Sequence, residues 1–124
     1  MQRNTQQRRT IREALERADR PLSPGELLDA AREKVPGLGQ ATIYRNLKAL
    51  EDQGWLEVVS MPGQPSRYEV AGKGHHHHFL CRSCDGAYEV AGCPGDLAPL
   101  TPPGFRLESH ELVLYGLCET CLSG

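Results

Sequence analysis

At 124 residues, with 39% hydrophobic and 24% charged residues, the chain suits one ordinary soluble domain or two small ones and is too apolar for a disordered protein. No apolar run approaches the roughly 20 residues of a membrane-spanning helix, and no apolar stretch follows the basic start MQRNTQQRRT, so a cytoplasmic protein with no membrane partner is expected. A net charge of −2 excludes a strongly basic, non-specific nucleic-acid binder, yet residues 1–70 carry eleven Lys/Arg against ten Asp/Glu and residues 71–124 three against six.

In chain order, Ile11, Ala14, Leu15 and Ala18 share one face of a helix over Thr10 to Ala18, among arginines that include Arg12. Ser23-Pro24-Gly25-Glu26 is a capping box with Pro at the first helical position, opening a second helix that runs to about Lys34. A third helix starts at Gln40 or Ala41. Ile43, Leu47 and Leu50 line its inner face, and Thr42, Tyr44, Arg45 and Lys48 point elsewhere, offering hydroxyl, phenol and guanidinium groups near a helix N-terminus.

Trp55 to Met61 and Ser66 to Val70 read as two strands around the turn Pro62-Gly63-Gln64-Pro65. Three helices and a hairpin describe a winged helix-turn-helix, whose third helix enters the major groove while the hairpin, through Arg67, touches the backbone. Ala71-Gly72-Lys73-Gly74 is a hinge between a DNA-binding domain (1–70) and a metal-binding domain (75–124). In the latter, His77 to Cys81, Ala87 to Val90 and Phe105 to Cys118 read as strands, and Pro94 to Gly104 holds at most a short helix.

All five cysteines and all five histidines lie within residues 75–124. Cys81-x-x-Cys84 and Cys118-x-x-Cys121 form two clamps, the donor set of a closed structural zinc site, and so small a domain needs the folding free energy such an ion supplies. Cys93 has no partner at clamp spacing. Strand alternation sends His76 and His78 to one side and His75 and His77 to the other, so one run can feed two sites. Glu57, Glu69, Glu89 and Asp96, with His110, are at hand to complete them, and such mixed ligation suits Zn(II), Mn(II) or Fe(II). An enzyme acting on a small molecule is not expected: an open zinc position and the His-x-Glu/Pro-Cys-x-x-Cys signature of deaminases are both missing. A metal-binding or thiol-redox protein without a regulatory role is the remaining alternative.

The motifs Ala41-Thr42-Ile43-Tyr44-Arg45, Arg67-Tyr68-Glu69, His75-His76-His77-His78-Phe79-Leu80-Cys81-Arg82-Ser83-Cys84 and Leu114-Tyr115-Gly116-Leu117-Cys118-Glu119-Thr120-Cys121 give the chain a resemblance to the ferric uptake regulator (Fur) superfamily of metal-dependent repressors, over nearly its whole length. The resemblance implies an α+β fold, with the winged helix followed by a small α/β dimerisation domain carrying the four-cysteine structural zinc. It implies a homodimer on a palindromic operator in double-stranded DNA. Gln40, Thr42, Tyr44 and Arg45 would meet that DNA with help from the first helix. It further implies a regulatory site from Glu69, His76, His78 and Glu89, with Glu57 an additional ligand in the zinc-uptake branch, and a second site from His75, His77, Asp96 and His110. Pro21 stands where iron- and peroxide-sensing members carry a His. Zinc is thus the expected regulatory metal, ahead of manganese and then iron.

Overall fold

A computed structural model describes residues 2–74, 76–92, 95 and 97–123, with side chains from Thr5 onward. The chain divides into two compact units, Met1–Lys73 and Gly74–Gly124.

The first unit comprises helices α1 (Gln2–Ala18), α2 (Pro24–Ala31) and α3 (Gln40–Asp52) and the antiparallel hairpin β1 (Leu56–Val59) and β2 (Arg67–Val70). Ile11 and Leu15 of α1, Leu27 and Ala31 of α2, and Ile43, Leu47 and Leu50 of α3 form one buried apolar cluster with Leu22, Leu38 and Leu56. Each helix contributes residues at three- or four-residue spacing, so one stripe per helix faces the shared core. The capping box is present: Ser23 Oγ accepts from the Glu26 N–H at 3.1 Å, and Glu26 Oε1 accepts from the Ser23 N–H at 2.9 Å. Leu22 pairs with Tyr68 through two backbone hydrogen bonds of 2.8 and 2.9 Å, tying the entry to α2 onto the wing. Two boundaries differ from the expectation. Helix α1 begins eight residues earlier than Thr10, because its first turns carry helix-compatible Gln and Arg that show no apolar periodicity, and α2 ends at Ala31, beyond which residues 32–34 only turn.

In the second unit β3 (His77–Cys81) lies between β4 (Ala87–Val90), antiparallel to it, and β5 (Val113–Gly116), parallel to it. A single 3-10 turn spans Ala98–Leu100 and a short helix α4 spans Glu119–Ser123. The strand expected over Phe105 to Cys118 contracts to Val113–Gly116, the stretch that lies in register with β3. Gly116 lets the Phe79 ring lie close over β5: a Cβ there would meet Phe79 Cζ at 2.9 Å, and the ring would have to shift. Among the described residues no helix is long and apolar enough to cross a membrane.

Candidate metal centres and nucleic-acid interface

The second unit brings the two cysteine clamps together. The β3–β4 turn presents Cys81 and Cys84, and the start of α4 presents Cys118 and Cys121; all four sulfurs lie within 4.8 Å of one another, with Cys84 and Cys118 Sγ at 3.9 Å. Backbone geometry prepares them for charge. The N–H groups of Cys84 and Cys118 hold the Cys81 thiol down to about 6, and that of Cys121 lowers Cys118. The Ser83 hydroxyl pulls Cys121 down as well, but the Cys118, Cys81 and Cys84 sulfurs outweigh it and drive Cys121 up to about 12. Four sulfurs that cannot all ionise together without a cation between them are a metal-binding set.

On β3 the histidines separate as strand alternation requires. His76 and His78 rings stand edge to face with centroids 4.8 Å apart, and His76 Nε2 lies 3.8 Å from Glu89 Oε1, while Glu89 is the register partner of His78. His76 Nδ1 sits 2.8 Å from the Gly74 carbonyl. A carbonyl only accepts, so Nδ1 is the donor in this contact, which is how the outer nitrogen of a metal-ligating imidazole is held. His77, 2% exposed, faces the other way and stacks on His110, with their Nε2 atoms 3.2 Å apart. His75, Asp96 and Cys93 lie outside the described residues.

In the first unit Glu69 is buried on β2 and Glu57 is its exposed register partner on β1, so both carboxylates share one face of the hairpin. On α3, Tyr44 is 48% exposed, Gln40 and Arg45 are exposed, and Arg45 Nη2 donates to Thr42 Oγ1 at 3.1 Å. Thr5, Arg8, Arg9 and Arg12 line a depression along α1, and the exposed Arg12 packs its guanidinium 5.1 Å from the Trp55 ring centre. Sequence reasoning passed over Asn46, a polar residue within the apolar stripe of α3. Its Oδ1 accepts from Arg8 Nε at 3.0 Å and its Nδ2 donates to the Thr42 carbonyl at 2.8 Å, fastening α3 to α1.

Arg67 departs from the expected backbone contact. It is 3% exposed, and its Nη1 donates to Glu26 Oε1 at 2.9 Å and its Nη2 to Gln64 Oε1 at 3.3 Å. The guanidinium braces the N-terminus of α2 against the wing, and a side chain so engaged and so little exposed is not presented to a phosphate.

Residues 2–115 match the ferric uptake regulator family. The chain belongs to that family. It is 31% identical over 118 residues to the ferric uptake regulation protein of Staphylococcus aureus, covering 94% of this chain and 86% of that one. It is 33% identical over 126 residues to the zinc uptake regulation protein of Mycobacterium tuberculosis, covering 98% and 95%. Among solved structures, a zinc-bound manganese uptake regulator superposes with a TM-score of 0.77 at 28% identity, over 90% of this chain and 87% of that one. The ferric uptake regulators are metal-responsive, dimeric, DNA-binding regulators of transcription and not enzymes, and this chain is a metal-responsive repressor of that kind.

Proposed function

We propose that this ferric uptake regulator family member is a zinc-responsive repressor that grips a palindromic operator as a homodimer. The tetrathiol cluster takes a structural Zn(II). A tetrahedron with Zn–S bonds of ~2.3 Å has sulfur–sulfur edges of ~3.8 Å, close to the 3.9 Å between Cys84 and Cys118. The regulatory divalent ion takes Glu69, His76, His78 and Glu89, with Glu57 in reserve, and the His77–His110 pair, together with His75 and Asp96, forms a further site. Gln40, Thr42, Tyr44 and Arg45 read the operator while Arg12 meets its backbone. Zn(II) precedes Mn(II) and Fe(II) because of the imidazole-rich run, the Pro21 that the resemblance sets where iron-sensing members carry a His, and the likeness to a zinc uptake regulator. Reduced thiols of this kind suit the cytoplasm.

The observation that carries the reading is the parting of the histidines at the start of β3, which sets His76 and His78 together beside Glu89, with His76 Nε2 towards that carboxylate. The bound ion supplies a charged centre that several donors share. Glu69, at one end of the linker, and His76 and His78, at the other, then fix the residues between them, so that two recognition helices address half-sites about one helical turn apart. A dimer that spends only a fraction of its time in that setting loses operator affinity by the same fraction. Support for self-association comes from the second unit, where β5 is an open sheet edge and Leu100, Phe105, Leu117 and Leu122 are exposed.

The test is operator binding with chelator and with Zn(II), Mn(II) or Fe(II), for the wild type and His76→Ala. Zn(II) is expected to tighten wild-type binding by about 5- to 150-fold, the range of ordinary allosteric coupling, at lower free concentration than the other metals, and His76→Ala to abolish the gain. Equal affinity with chelator and with saturating metal sinks the model.

A further inference from the structure

Within the first unit three charged side chains form a row. Lys73 Nζ lies 3.0 Å from Asp19 Oδ1 and 3.9 Å from Glu69 Oε2. Two backbone features put them there. Gly72, at φ 86°, turns the chain back after β2 in a conformation that side chains beyond glycine rarely adopt, and Asp19 holds φ 50° just past the end of α1. The side chains are 75% exposed at Asp19, 19% at Lys73 and 2% at Glu69. A carboxylate so removed from water needs a cation close by, and the Lys73 ammonium is one.

We propose that Lys73 is an internal stand-in for the regulatory ion: its ammonium holds the cation position beside Glu69 when no metal is bound and yields it when a divalent ion arrives. The proposal rests on the reading of Glu69 as a regulatory ligand. A dication on the Glu69 carboxylate and an ammonium 3.9 Å from its Oε2 repel one another, so each disfavours the other. Once displaced, Lys73 retains Asp19, and an ion pair with so exposed a partner is screened by water. Lys73 therefore raises the metal concentration at which the switch turns.

The experiment titrates Zn(II) against a competing chelator into the full chain with its tetrathiolate ion in place, for wild type, Lys73→Met, Lys73→Gln, Lys73→Arg and His76→Ala. Lys73→Met and Lys73→Gln are expected to bind the second Zn(II) about tenfold more tightly, while Lys73→Arg, which keeps the charge, stays near wild type. Thermal unfolding supplies an independent readout: without the second ion Lys73→Met melts below wild type, and saturating Zn(II) removes the deficit. Lys73→Gln covers the case in which Lys73→Met folds poorly. Unchanged or weaker affinity in both neutral variants, with the second ion lost in His76→Ala, overturns the role of Lys73 and leaves the regulatory site standing. Full affinity for the second ion in His76→Ala overturns the regulatory-site reading, and this proposal with it.

Discussion

The two units achieve order by different means. In the first, a continuous apolar cluster from Ile11 to Leu56 draws on all three helices and the hairpin. In the second, the described buried side chains amount to little beyond Leu80, Cys81, Ala87 and His77, while Leu100, Phe105 and Leu122 are more than 70% exposed. An ion held by the four cysteines would supply the second unit with the folding free energy that so small a core cannot. On the function proposed above the contrast would also divide the labour: the unit with its own core would present the DNA-reading surface, and the unit with the sulfur and imidazole donors would respond to metal.

The most severe way to break this comparison is Cys118→Ser or stringent chelation. The second unit is expected to lose its sheet while the helical circular dichroism of α1 to α3 persists; a joint collapse of both units would show that the first leans on the second. Acid acts in the same direction. Folding lowers the Cys81 pKa to about 6, so this thiolate favours the folded unit at high pH, and that contribution fades as pH falls through about 6.

Leu47→Ala comes next. It removes a side chain 1% exposed at the centre of the helical core, at a cost of about 2 to 5 kcal/mol, and denaturant unfolding is expected to locate that loss in the first unit with metal content per chain unchanged. Arg67→Ala sharpens the picture of the wing. Losing the Glu26 bond is expected to cost about 1 to 2 kcal/mol, a figure reduced by the partial exposure of Glu26. Were Arg67 a phosphate contact instead, stability would hold and the salt slope of operator binding would fall by about one. The smallest effect belongs to Glu13→Gln. Lys34 holds the Glu13 carboxyl below its ordinary range, so their attraction is present at neutral pH and fades as acid titrates the carboxylate. The pair is exposed to solvent, and the melting temperature is expected to stay within error of wild type.

The legibility of the chain followed the reach of each interaction. Helix α3, the Ser23 capping box and strands β3 and β4 were readable because periodicity, caps and turn residues act over a few neighbours. The pairing of the cysteine clamps was readable from spacing alone. Helix α4 was missed because the clamp Cys118 to Cys121 is itself its first turn, with the Leu122 N–H donating to the Cys118 carbonyl at 2.8 Å, and short clamps read as loops. Phe105 to Glu111 has strand-like composition but, among the described residues, no strand pairs with it, which no local pattern reports; Leu112 is the first of the run whose backbone reaches β3, its carbonyl accepting from the His78 N–H at 3.3 Å.

Sequence alone determined the class of chemistry: which residues carry sulfur and imidazole, on which side of a strand each histidine falls, and which helix face is apolar, since these follow from residue type and a period of two or 3.6. Tertiary structure decided which distant groups meet: Arg67 with Glu26, His77 with His110, Arg8 with Asn46, and Lys73 with Asp19 and Glu69. Those meetings join residues up to 54 positions apart, and their positions depend on how helices and sheets pack, a result of the whole chain's burial that no stretch of it encodes by itself.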